Sequence, residues 1–242
     1  LRELTLHRGL APTARLNIMN VRNPTTLKRA AGQKIIKFMN ITSHCGGFCE
    51  TNGYLIETEE GAVVIDAPKG MFRFCEQKGI IPTGLLLTHQ HFDHVEDAFA
   101  FNSAKIPVYA SEPYRPDLQL GDILEKWGLP VSVEKFHVDE VLDPTATGLD
   151  LAGLTFEFRS VPGHSPDSFV FHVALFQKLF SGDTLFANGG LGRTDFPHGD
   201  GALLLRSIRE QILSLPEDTV VLPGHGPPTT IGREVSINPY LG

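Results

Sequence analysis

The stretch Leu85-Leu86-Leu87-Thr88-His89-Gln90-His91-Phe92-Asp93-His94 constrains this chain more than any other. Its apolar start reads as a buried strand, and three imidazoles and a carboxylate follow within a few residues. An extended backbone sends alternate side chains to the same face, so His89 and His91 point together. Asp93, His94 and the helix formers as far as Phe101 read as a helix start, with Asp93 as its cap. Polar groups packed beside a core strand lose hydration and need a partner in return. A metal ion is the simplest compensation, because a strand end running into a helix start can aim all four groups into one small volume.

With 242 residues the chain can build one large domain, burying roughly 70% of the surface that the unfolded chain exposes. No apolar run approaches the ~18 residues of a membrane span, so no membrane association is expected and a cytoplasmic location is the default. The net charge of −7 argues against a nucleic-acid binder, which needs a basic surface to neutralise phosphates. That charge is unevenly placed. Residues 1–33 carry Arg2, Arg8, Arg15, Arg22, Lys28 and Arg29 against the single acid Glu3, so the acidity belongs to residues 34–242. The basic leader has no clear helical or strand period. It is expected to be an arm packed on its own domain or on a second copy, giving a homo-oligomer through the arm, with 34–242 as the catalytic domain. Cys45, Cys49 and Cys75 make no disulfide framework and read as unpaired thiols of a reducing compartment.

From residue 34 onward, strands and helices alternate. Strands are expected at 35–39, 52–57, 62–66, 85–87, 107–109 and 131–137. Further strands fall at 149–161 (folded about the turn at Ala152-Gly153), 168–174, 178–180 and 219–222. Helices are expected at 69–78, at 93–101 and around 120–127. Another carries the apolar stripe Leu204, Ile208, Ile212 and Leu215, and a Pro-rich tail closes the chain. Residues 188–200 form a glycine-rich loop of the kind that serves a site. One internal echo adds ligands. Val161-Pro162-Gly163-His164 and Leu222-Pro223-Gly224-His225 each present a His after a strand end and a Pro-Gly turn, and Asp183 ends the strand Leu179-Phe180-Ser181-Gly182.

Collected, these residues suggest His89, His91 and His164 around one metal and Asp93, His94 and His225 around a second, with Asp183 bridging. Nitrogen and oxygen ligands without thiolate favour two divalent ions, zinc first, with iron or manganese as alternatives.

The pattern His-x-His-x-Asp-His at positions 89–94, followed in order by His164, Asp183 and His225, resembles the metallo-β-lactamase superfamily over about residues 34–240. The resemblance implies an α+β fold, an αββα sandwich in which two mixed β-sheets pack face to face with helices on both outer sides. It also implies a supporting role for Asp66 behind the ligands. The segments Gly192-Arg193-Thr194-Asp195-Phe196-Pro197 and Leu222-Pro223-Gly224-His225-Gly226-Pro227 are similar to glyoxalase II-like thioester hydrolases. They imply a small-molecule, hydroxyacylglutathione-like thioester as substrate.

Water bridging two cations ionises near a pKa of ~7, and Asp93 and Asp183 are the carboxylates expected to serve that hydroxide in catalysis. The glutathione-binding helical domain of full-length glyoxalase II has no counterpart in these residues, so recognition is expected to fall to the loop 188–200 and the region 111–130. Glu96-Asp97 stands where small glycines often follow the first motif. The nearest rival is an iron sulfur dioxygenase of the same fold, with one metal on His89, His164 and Asp183. Lactonase or β-lactamase chemistry and a non-catalytic metal-binding module rank lower. His7, His44, His137 and His172 read as ordinary histidines, His198 as a loop residue within reach of substrate, and Arg193 with Asp195 as a loop-locking pair.

Overall fold

Strands that are apolar on both faces need cover on both sides, and this chain provides two sets of them. The computed structural model describes residues 17–22, 36, 38–129 and 131–241. One sheet runs in chain order through β1 (Asn17–Arg22), β2 (Phe38–Gly46), β3 (Thr51–Thr58), β4 (Gly61–Ile65), β5 (Gly84–Leu86), β6 (Val108–Ala110) and β7 (Glu140–Val141). Neighbours are antiparallel from β1 to β4 and parallel from β4 to β7. The other sheet, again in chain order, holds β8 (Leu149–Leu151), β9 (Leu154–Ser160), β10 (Phe169–Val173), β11 (Lys178–Gly182), β12 (Val220–Pro223) and β13 (Thr229–Thr230). Only β11 and β12 are parallel there.

The two-residue period of each strand sorts its side chains between two cores. In β3, Tyr54 and Ile56 join β10's Phe169 and Phe171 between the sheets, whereas Leu55 turns away to meet the outer helices. α1 (Met71–Gln77), α2 (Phe92–Val95) and α3 (Ala98–Ser103) cover that outer face with Met71, Val95 and Phe101. α4 (Gly121–Lys126) follows on a connection, and α5 (Gly201–Ser207) and α6 (Ile231–Ile237) cover the second sheet with Leu204 and Ile231. Helices, sheet, sheet, helices is the expected αββα sandwich. Phe156, Phe171 and Phe180 are wholly enclosed between the sheets. Truncating one of them to Ala would cost about 3–5 kcal/mol.

The structure departs from the sequence expectations in five places. The expected strand at 131–137 does not form: residues 131–138 pair with no strand, although Phe136 and Val138 are buried. The sheet edge beside β6 is taken by β7, and His137 N donates to a side chain, Asn102 Oδ1, instead. The expected helix 93–101 is broken in two, because Ala67 N takes the His94 carbonyl and Asp97 N turns to Ala67 O. Asp93 is not the cap of α2; that position is His91, without a side-chain cap. The tail contains β13 and α6, whose cap Thr230 accepts from Arg233 N. In the leader, 17–22 form β1 against β2, and Phe38 and Met39 of the expected strand at 35–39 lie in β2. The remainder of the arm, His7 included, lies outside the described residues. Among the described residues no helix is long and apolar enough to cross a membrane.

Candidate metal centre

The chain delivers its polar motif residues just beyond the C-terminal ends of β5, β9, β11 and β12, all at one edge of the sandwich. Three groups of potential ligand atoms each gather within 4.8 Å: His89, His91 and His164; His89, His94 and Asp183; and Asp93, His94 and His225. Asp183 lies between the two outer groups. Its Oδ1 is 3.3 Å from His94 Nε2, and its Oδ2 is 3.2 Å from His225 Nε2 and 3.6 Å from His164 Nε2. Asp93 Oδ2 is 3.3 Å from His225 Nε2. All seven residues picked out by the sequence therefore meet at one place.

The surrounding protein sets which ring nitrogen faces inward. His94 Nδ1 donates to Asp66 Oδ2 at 2.8 Å, and Asp66 also accepts from Thr88 N and Thr88 Oγ1. With its one hydrogen given to Asp66, Thr88 Oγ1 accepts from His89 Nδ1 at 3.1 Å. His164 Nδ1 donates to Arg193 O and His225 Nδ1 to Cys49 O. In each of these four imidazoles the protein engages Nδ1 and leaves Nε2 facing the centre, the orientation in which Nε2 could ligate a metal.

These inward atoms are where a cation fits. The Nε2 atoms of His89, His94 and His164 and Oδ1 of Asp183 are buried without any hydrogen-bond partner. Such groups are costly to leave unsatisfied, and a divalent cation on a nitrogen-and-oxygen donor set would satisfy them together. Burial, followed by the neighbouring imidazoles, pushes His89 well down and His91 down to about 3. Burial also opposes charge on His94 and His225, but Asp183 leads the groups that outweigh it, holding His94 well up and His225 up to about 10. One part of the centre is therefore neutral and the other draws positive charge. Gly224 makes this approach possible, since any Cβ there would collide with Asp183 Oδ1 and crowd the His94 ring.

Around the mouth, Phe196 stands edge-on to His91 at 5.9 Å, with Trp127 and the Arg193 guanidinium against its ring. Phe186 flanks His225 at 6.0 Å. Arg193 and Asp195 form the expected bidentate pair, both contacts at 2.7 Å. His198 is exposed, 3.9 Å from Asp117. His44 stacks on Phe74 and contacts Lys69 O, and His172 meets Glu157; neither joins the centre. Cys45, Cys49 and Cys75 are free thiols. Of Glu96-Asp97, Asp97 accepts from Phe72 N, and Glu96 packs its carboxylate on Gly47. A cavity of about 570 Å³ near Phe99, Lys105 and Lys135 lies away from these ligands.

Sequence reading did not single out Thr51, whose Oγ1 donates to Asp93 Oδ2 at 2.6 Å, nor Thr88 or Asp167. Asp167 is buried, accepts from Gln90 N at 2.9 Å and from Ser165 Oγ, and so fixes the peptide between His89 and His91. Thr88 adjoins the motif and was open to notice, but nothing in a one-dimensional reading links Thr51 to Asp93.

Known proteins resemble this chain in sequence and fold. Residues 46–225 match the Metallo-beta-lactamase superfamily. The hydroxyacylglutathione hydrolase GloC of Haemophilus influenzae is 35% identical over 192 residues, spanning 76% of this chain and 89% of that protein. Two solved structures superpose well. The BLEG-1 B3 metallo-beta-lactamase does so with a TM-score of 0.74 at 35% identity, over 83% of this chain and 99% of its own. TTHA1623 in a di-iron-bound form does so with a TM-score of 0.68 at 37% identity, over 82% and 99%.

Proposed function

The chain belongs to the metallo-beta-lactamase superfamily, and from that premise we propose that it hydrolyses a glutathione-type thioester at a two-metal centre. The observation that carries this reading is the pair of complete ligand groups with Asp183 within reach of both. His89, His91 and His164 would hold one ion, Asp93, His94 and His225 the other, and Asp183 would be shared. Zinc, iron or manganese suits such donors. The similarity to GloC, a hydroxyacylglutathione hydrolase, supports the substrate class, and the di-iron form of TTHA1623 supports two metals.

When bound, a metal pair acidifies water to a pKa near ~7 and polarises a carbonyl oxygen. The chain's own residues do the rest. Asp66, Thr88 and the carbonyls of Cys49 and Arg193 hold the imidazoles in their ligating orientation. Phe196 and Phe186 flank the centre and limit water at the reacting carbonyl. A thiolate leaves without a proton donor because it is a weak base, so no general acid is needed. No cysteine nucleophile is required in this reading, and burial first, then Asp93, pushes the Cys49 thiol up to about 11. Residues 34–242 act as the catalytic unit in this reading, and the basic leader would be an arm, packed on its own domain, where β1 extends the first sheet, or on a second copy.

The test sets thiol release against oxygen uptake on metal-replete protein. S-lactoylglutathione should release glutathione, and a chelator should abolish the release. Oxygen consumption with glutathione persulfide, without thiol release from any thioester, would replace the hydrolase by a dioxygenase.

A further inference from the structure

Residues 49–54 make an unusual set of contacts for the end of a hairpin. Thr51, wholly buried, donates its hydroxyl to Asp93 and pairs its backbone with His225 in a single antiparallel bridge. The Cys49 carbonyl accepts from His225 Nδ1. Asn52 N donates to Gly224 O at 2.7 Å, and its side-chain amide donates to Pro223 O and Gly226 O. The Tyr54 hydroxyl, buried between the sheets, also donates to Pro223 O at 2.7 Å. Every hydrogen bond that this segment makes towards the centre goes to Asp93, to His225 or to the loop that carries His225. The first group is held by other residues: His89 by Thr88 and His164 by Arg193 O.

We infer that Thr51 is the positioning residue of the second metal position, with Asn52 its helper, so that this segment decides whether the centre holds one ion or two. The inference rests on the two-metal reading above. Thr51 touches no reacting atom. It fixes the Asp93 carboxylate by a short hydrogen bond, and its backbone bridge fixes the strand end that presents His225. A carboxylate freed from such a donor can rotate, and the second ion loses a preformed ligand. The first ion keeps its three imidazoles.

Metal-loaded wild type, Thr51→Val, Thr51→Ser and Asn52→Ala should be dialysed against graded chelator, and the metal retained per chain counted. Thr51→Val keeps the shape and removes the donor. It should release its second ion at about 10–100-fold lower chelator strength than wild type, with the first ion unmoved. Thr51→Ser, which restores the hydroxyl, should return to wild-type behaviour. Wild type with two ions, and Thr51→Val releasing both as wild type does, would overturn this assignment alone. A wild type that never exceeds one ion would overturn the two-metal reading and this inference with it. A parallel weakening of both ions in Thr51→Val, unrescued by Thr51→Ser, would reduce Thr51 to a packing residue. If Thr51→Val does not fold, Asn52→Ala puts the same question from the His225 side, with selective loss of the second ion in support and unchanged release against.

Discussion

The two ligand groups share one edge of the sandwich and are built in opposite ways. His89, His91 and His164 are all nearly sealed from solvent and carry no acid among them. The other group combines Asp93, His94 and His225, and His225 is 28% exposed. Two ligands of the first group come from one strand end at a spacing of two, which local backbone geometry alone delivers. The second likewise takes two ligands from that segment, Asp93 and His94, and each group draws its third from the other sheet, His164 from beyond β9 and His225 from beyond β12, so both exist only once the two sheets have packed. The two positions thus differ in enclosure and in charge, not in where their ligands come from. Asp183 belongs to both.

That contrast is most exposed to test at Asp183. Asp183→Ala should lower metal content at both positions and reduce thioester turnover by about 10³-fold or more, since several kcal/mol of charge stabilisation disappear. Retention of two ions per chain, measured by elemental analysis, would show that the groups are independent after all.

Next in size is the pair His91→Ala and His225→Ala. His225→Ala should cost mainly one ion, leaving the enclosed triad loaded. His91→Ala should weaken the first position and leave the more open one the better filled. Equal losses in the two variants would erase the distinction between an enclosed site and an open one. Stoichiometry with a cobalt spectrum reads both.

The smallest effect concerns a carboxylate on the sealed side that serves no metal. Burial pushes Asp167 up to about 6, although Ser165 and Gln90 donate to it. A carboxyl group whose folded pKa is raised contributes stability at low pH and loses it as pH climbs. The contribution is complete below about pH 4 and fades through about pH 6. A rise from the ordinary carboxyl value to about 6 is worth about 3 kcal/mol. Chelator-treated Asp167→Asn should lack this slope in denaturant melts between about pH 4 and 7. A slope equal to that of the unsubstituted protein would assign it to other groups.

Much of this was legible in the sequence because it depends on short-range periodicity. The strands around Tyr54, Val63 and Leu85 were readable from alternation and β-branching, and the motif at 89–94 stood out by composition. Residues 131–137 also read as a strand, and Phe136 is indeed buried there. A buried face is not a paired backbone, however, and pairing depends on which neighbour reaches the edge first. The helix after Asp93 failed for a related reason: Ala67 N captured the carbonyl that the next helical turn needed. Thr51, Asn52 and Asp167 were invisible because each acts on residues far along the chain, Thr51 on Asp93 and Asn52 on Gly224.

The ligands also straddle a seam. His89, His91, Asp93 and His94 follow a strand of one sheet, whereas His164, Asp183 and His225 follow strands of the other. An ion seated among them acts as a rivet through two plates, and prying the plates apart means losing the ion. At a free metal concentration about a thousand times the dissociation constant, each such rivet adds about 4 kcal/mol against unfolding. A protein so riveted would have a melting temperature that gauges its metal supply, readable without any substrate.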